Sequence, residues 1–179
     1  MLNFKRGDIF REVLAEPVFV TLNSFIKKDG SLYMARGAGL GGLRRAPGID
    51  YKFGDLIRKF GVMSKNVYGN KFHKYGIVYD TETRMGAFQI KYHLNDAPDL
   101  DLIKYSATML AGIGRVISPL HLNFPGLGND VVNRPELYRI LEEAFKNVDI
   151  TLWRLENREQ DEWATSDVEG QNMMEVQRA

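Results

Sequence analysis
Two stretches of this sequence combine bare backbone with polar side chains at spacings suited to holding an anion: "RGAGLGG", Arg36 to Gly42, and "FPGLGND", Phe124 to Asp130. In the first, Gly37, Ala38 and Gly39 open a predicted helix, whose N-terminal amides have no partner within the helix and attract negative charge. In the second, Gly126 and Gly128 flank Leu127, and Asn129 and Asp130 follow. Successive amides in such a loop point inward as an anion nest, and glycine lets a phosphate approach the main chain closely. Taken singly, the first loop is explained as well by close helix–sheet packing, and the second is better explained as an ordinary turn. Two such loops, each following an apolar strand, favour a ligand with two phosphates. "GAGLGG" also matches G-x-G-x-x-G, but a dinucleotide-binding unit needs that pattern after its first strand and an acidic residue closing the next. Here a strand precedes it and Asp50 and Asp55 fall in or beside a helix, which leaves a nicotinamide enzyme as a distant reading.

The remaining reactive side chains are few. His73, His93 and His121 lie in separate segments, without the spacing of a metal site, and there is no cysteine. No metal, no cofactor and no Ser-His-Asp arrangement is expected. Asn23 closes the apolar run "EPVFVTLN", where its amide can satisfy its own turn or meet a ligand's diol. Asp8 stands where a helix would be capped. Lys91 follows the apolar run Ala87, Phe88 and Ile90. A lysine there either snorkels to water or, partly buried, serves as a nucleophile.

The elements that must position these residues alternate. Strands are predicted at "EPVFVTLN", Tyr75 to Tyr79, Met85 to Tyr92, "SPLHLNF" and "VDITLWRL", with another possible just before the first glycine-rich turn. Helices are predicted from that turn to Pro47-Gly48, over "FGDLIRKFG", after a cap at Asp99, and over "RPELYRILEEAFKN". The pattern predicts an α/β layered sandwich with a largely parallel sheet, in which ligands sit at the carboxyl ends of strands. The loops after Asn23 and after Phe124 would then face each other across one crevice.

In chain order, "KRGDIF", "VTLN", "MARGAG", "FQIKYH" and "LNFPGLGN" resemble the motifs of the macrodomain, the ADP-ribose-binding module, over about Asn3 to Leu155. The lysine late in a middle strand resembles the branch that contains the terminal ADP-ribose glycohydrolases and the DNA ADP-ribosyl glycohydrolase antitoxins. The resemblance implies a three-layer α-β-α sandwich around a mixed, mostly parallel sheet, with residues 1–155 as the ADP-ribose-binding domain and 156–179 as a polar tail. It implies that Asp8, with the Ile9 backbone, meets the adenine amino group and that Asn23 meets the distal ribose. Gly37 and Ala38 would line one side of the diphosphate, and Gly126, Leu127, Gly128 and Asn129 the other, with Asp130 at the ribose end. Lys91 would attack the anomeric carbon of the distal ribose or assist departure from it. Trp153 or Leu155 could border the adenine, although a core role is expected for either. The implied activity is removal of ADP-ribose from a modified nucleic-acid base or protein side chain, and the alternative is a non-catalytic module that binds ADP-ribose or a related signalling nucleotide.

The chain departs from that pattern in two places. Ala35 stands where the first phosphate loop of these relatives has its first glycine, and Asp130, Val131 and Val132 follow Asn129 where further glycines are usual. Branched side chains stiffen that loop. Asp130 could orient a water or the ribose, repel the diphosphate, or cap the next helix. Some relatives pair the lysine with an aspartate further along, for which there is no clear equivalent.

Composition agrees with an ordinary globular domain: 179 residues, 44% apolar, 26% charged and a net charge of +1. No global field draws in nucleic acid or an anionic membrane. "KKDG", "LRRAPG" and "HKYG" could still form a local basic surface for a DNA-linked substrate. The charged start "MLNFKRGDIF" predicts no signal peptide, and no apolar run reaches membrane-spanning length, so cytoplasmic placement is expected.

Overall fold
A computed structural model of the chain describes residues 1–126 and 133–155. The elements in order are β1 (Leu2–Arg6), α1 (Ile9–Glu12), β2 (Val18–Leu22), α2 (Gly37–Arg45), α3 (Ile49–Phe60), β3 (Val62–Lys65), β4 (Lys71–Lys74), β5 (Ile77–Asp80), β6 (Met85–Gln89), α4 (Leu100–Gly114), β7 (Leu120–Asn123), α5 (Arg134–Phe145) and β8 (Ile150–Arg154). Six strands form one sheet in the order β1-β8-β7-β2-β6-β5. The first five run parallel, and β5 is antiparallel to β6. The mixed, mostly parallel sheet matches expectation.

Alternation along the buried strands divides the core into two layers. Val18, Val20 and Leu22 of β2 meet Met85 and Ala87 of β6 under Ile49, Phe53 and Ile57 of α3. Phe19 and Phe88 point the other way, into the layer made by Ile103, Ala107 and Leu110 of α4 and by Leu137, Leu141 and Phe145 of α5. Each of these valine, leucine, isoleucine, phenylalanine and methionine side chains, fully buried, contributes about 1.5–3 kcal/mol to stability. Asp99 caps α4 by accepting from the Leu102 amide at 3.0 Å. Asn133 caps α5 by accepting from Glu136 at 3.2 Å, with Pro135 in the first turn.

Several elements depart from the sequence reading. The edge strand β1 was not predicted, because four of its five residues are exposed and show no alternation. Its pairing with β8 supplies the order that its side chains lack. The hairpin of β3 and β4 was not predicted either, since apolar and basic residues mix on both strands. Helix α3 begins at Ile49, before the predicted "FGDLIRKFG". The possible strand before the first glycine turn is only a bridge between Ile26 and Leu32. The predicted strand from Met85 to Tyr92 ends at Gln89, which moves Lys91 out of it.

Candidate functional site
Because five strands run parallel, the carboxyl ends of β1, β8, β7, β2 and β6 share one edge of the sheet. The segments that leave this edge carry Asp8, Leu155, Gly126, Asn23 and Lys91. At its centre Asn123 of β7 ties its strand to β2: its side-chain oxygen accepts from the Thr21 amide at 2.7 Å, and its side-chain nitrogen donates to Thr21 Oγ1 at 2.7 Å. The two glycine-rich loops therefore begin at neighbouring strand ends.

Helix α2 starts over the end of β2. A Cβ added at Gly39 would lie 2.9 Å from Leu22 Cδ2 and 3.2 Å from the Met34 backbone. At Gly41 it would lie 2.4 Å from the Phe10 ring, and at Gly42 2.8 Å from Met85 Cε. These glycines serve packing. Gly37 differs: a Cβ there meets nothing within 4 Å, and its φ of +52° is a left-handed conformation that side chains resist. No side chain caps this helix and its first turn has no acidic residue, so the Gly37 and Ala38 amides form a bare, electropositive terminus. The packing reading of the glycine-rich turn thus holds at Gly39, Gly41 and Gly42, while Gly37 leaves its backbone open.

The second loop is launched from Phe124, whose amide donates to the Trp153 carbonyl at 2.8 Å. Pro125 follows, then Gly126 in the left-handed region at φ +78°. The Arg154 guanidinium lies 4.5 Å over the Phe124 ring, and Tyr138 packs 5.4 Å from the same ring. Sequence reasoning missed this aromatic seat because its members come from three elements. Leu127, Gly128, Asn129 and Asp130 lie outside the described residues. The cap that Asp130 could have supplied to α5 comes from Asn133.

Asn23 is buried, and its side chain closes a local turn: Oδ1 accepts from the Phe25 amide at 2.7 Å and Nδ2 donates to the Tyr33 carbonyl at 3.2 Å. Asp8 caps α1, accepting from the Phe10 amide at 2.9 Å, with Arg11 3.4 Å from its other oxygen. In this chain both residues therefore have structural tasks. Gly7, at φ +145°, sets the turn into α1, and a Cβ there would collide with the Glu12 carboxylate at 1.9 Å.

Lys91 belongs to a bulge. The Leu22 carbonyl accepts from the Ile90 amide at 2.9 Å, as a parallel ladder requires. The next bond should run from Ser24 to the Ile90 carbonyl. Instead the Ser24 amide reaches Tyr92 at 2.9 Å, and the Ile90 carbonyl accepts from Asp99 at 2.8 Å. Residues 90–92 thus swing out opposite Asn23, with half-buried Lys91 in the middle. Beside them Phe25, His93 and Phe72 stack edge-on and tilted, at 5.0 and 5.7 Å between neighbouring centroids.

Trp153 is buried beneath α1, its indole nitrogen donating to His121 Nδ1 at 3.0 Å and Lys5 4.5 Å over its ring. That is a core role. Leu155, in contrast, is 70% exposed, against the core role expected of it. Burial holds the His121 imidazole below the ordinary histidine range, offset in part by Glu16 and Asp149. The basic stretches are engaged separately: Arg45 donates to the Val13 carbonyl, Lys27 lies 3.9 Å from Asp29, and Lys74 sits over Tyr105. Among the described residues, no cluster of three or more His, Asp or Glu side chains is placed to hold a metal, and no helix is long and apolar enough to cross a membrane.

No protein-family model and no curated protein matches this chain. Solved structures do. The chain is similar to the macrodomain of Thermus aquaticus DarG, with a TM-score of 0.63 at 18% identity over 88% of this chain and 99% of that one. The macrodomain of Mycobacterium tuberculosis DarG gives 0.62 at 19% identity over 86% and 97%. Thermosipho africanus DarTG in complex with ADP-ribose gives 0.63 at 14% identity over 88% of this chain and 43% of that one. The chain has the macrodomain fold.

Proposed function
We propose that this protein binds ADP-ribose at the carboxyl edge of its parallel strands and hydrolyses the bond joining ADP-ribose to a nucleic-acid base or a protein side chain. The observation that carries the reading is the gathering of Asp8, Asn23, the open Gly37 terminus, Lys91 and Gly126 at one edge of a macrodomain fold. Asp8 and the Ile9 backbone take the adenine, with the Arg11 guanidinium displaced from the carboxylate. The amides of Gly37 and Ala38 face the diphosphate from one side, and Gly126 to Asn129 from the other. Asn23 takes the distal ribose diol. Lys91 acts at the anomeric carbon, by attack or by assisting departure. Fixed donors around the reacting ribose supply positioning and charge stabilisation. The solved complex of a similarly folded protein with ADP-ribose supports the choice of ligand. We assign the protein to the cytoplasm; the polar tail expected over residues 156–179 lies outside the described residues.

A second reading, a binding module without turnover, is favoured by one feature: Asp130, Val131 and Val132 replace the run of small residues in the second loop. Calorimetry with ADP-ribose tests the ligand, and absence of binding rejects both readings. Incubation with ADP-ribosylated DNA and with ADP-ribosylated protein, following free ADP-ribose, separates them. Release abolished by Lys91→Ala establishes the hydrolase, whereas tight binding with no release establishes the module.

A further inference from the structure
The bulge at residues 90–92 raises a positioning problem. Where a ladder is regular, neighbouring strands hold each other in register. Here the ladder breaks opposite Asn23, so something else must place Lys91 relative to it. Two buried side chains are arranged to do so. Gln89, the last residue of β6, is 0% exposed, and its amide uses its full hydrogen-bonding capacity. Oε1 accepts from the Tyr75 and Gly76 amides at 2.8 and 3.1 Å. Nε2 donates to the His73 carbonyl at 2.9 Å and to the Lys91 carbonyl at 3.5 Å. Tyr75 lies two residues before β5, which is two strands from β2 in sheet order, and its hydroxyl crosses β6 to donate to the Asn23 carbonyl at 2.8 Å. Burial pushes the Tyr75 phenol well above its ordinary range, so it keeps the proton it donates.

A continuous path results. It runs from the Asn23 carbonyl to the Tyr75 hydroxyl, through the Tyr75 amide to Gln89, and from Gln89 to the Lys91 carbonyl. Ser106 Oγ holds the Gln89 carbonyl at 2.7 Å, and Ser24 Oγ holds the Tyr92 carbonyl at 3.0 Å, which pins both ends of the bulge. A buried amide costs stability wherever a partner is missing, and an apolar residue would fill a strand position between Phe88 and Ile90 without that exposure to loss.

We infer that Gln89 and Tyr75 are positioning residues, holding the Lys91 bulge in fixed relation to Asn23 through this buried hydrogen-bonded path. The inference rests on the proposed function for its catalytic consequence, and on geometry alone for the tether. It is tested with Tyr75→Phe, which removes one hydroxyl, and with Gln89→Met, which keeps length and removes the amide. Three quantities are measured on the whole chain: amide hydrogen exchange by mass spectrometry over residues 22–25 and 90–94, ADP-ribose affinity by calorimetry, and ADP-ribose release at saturating substrate. The expected result is faster exchange confined to those segments, affinity within about threefold of the parent, and release slowed about tenfold to a hundredfold, as misplacement of a reacting group by about an ångström does. A merely structural role would lower the melting temperature and leave release by the folded protein unchanged. That outcome, or unchanged exchange in Tyr75→Phe, overturns the inference. Should Gln89→Met fail to fold, Tyr75→Phe decides. Should the parent protein release nothing, the hydrolase reading falls by itself and the exchange measurement still decides the tether.

Discussion

The two halves of the carboxyl edge are built in opposite ways. Around Asn23 and Lys91 nearly every described polar atom is committed: Asn23 to Phe25 and Tyr33, Ser24 to Tyr92, Gln89 to four backbone groups. Around Gly37 the backbone is left open, with uncapped amides and space where a side chain could stand. The contrast fits a division of labour. A group that must act on one atom needs a fixed position, whereas an anion cradle needs unobstructed donors.

Substitutions on either side can break or sharpen this contrast. The largest effect is expected for Asn23→Ala, which removes the side-chain partner of the half-buried Phe25 amide and Tyr33 carbonyl. Stability should fall by about 2–3 kcal/mol in denaturant titration, and the heat of ADP-ribose binding should disappear. A stable Asn23→Ala protein would show that the committed half is less committed than its hydrogen bonds indicate. Within α2 the contrast narrows to single glycines. Gly41→Ala drives a methyl into the Phe10 ring and should cost about 1–3 kcal/mol, with near-parental ADP-ribose affinity in the protein that remains folded. Gly37→Ala meets no neighbour but must hold a left-handed backbone, costing about 1 kcal/mol. It should nonetheless weaken ADP-ribose more than Gly41→Ala does. The reverse ranking in calorimetry would place the ligand elsewhere.

Asp8 can be dissected next. Asp8→Ala removes the cap of α1 and should cost about 1 kcal/mol. Asp8→Asn keeps an acceptor for the Phe10 amide, so thermal melting should stay near the parental value while adenine recognition suffers. Equal ADP-ribose affinity in both variants and the parent would confine Asp8 to capping. The smallest effect concerns pH. Burial keeps His121 neutral in the fold, so on acidification the unfolded chain takes up its proton first. Stability should therefore be level above the ordinary histidine value near 6.5 and decline as pH falls from there through the depressed folded value. Denaturation followed by Trp fluorescence at pH 7 and pH 5.5 checks this, and His121→Gln should flatten part of the slope. A rise in stability on acidification would contradict the burial argument.

Much of the fold was legible because its signals are local. The apolar stripe of α4 with Asp99 before it, Pro135 near the start of α5, and the β-branched run ending at Asn23 are each written within a few residues. The edge strand β1 and the β3–β4 hairpin were illegible because exposed strands carry no burial pattern. Of the candidate residues, Asp8, Asn23, Gly37, Lys91 and Gly126 come to the same edge. Leu155 as a core residue and Lys91 as a strand residue were misread. In the second case an apolar run continued past the point where the hydrogen bonds turn away to Asp99.

By itself the sequence determined which residue types were on hand and the order in which strands and helices follow one another, since propensity, caps and periodicity act between near neighbours. Only the tertiary structure decided that Gly37 is open while Gly39, Gly41 and Gly42 are filled by packing, and that Lys91 rides on a bulge. It alone linked Tyr75 to Asn23, 52 positions earlier in the chain. Contacts between distant residues leave no local trace, because they depend on how the strands are ordered in the sheet and not on what precedes or follows each residue.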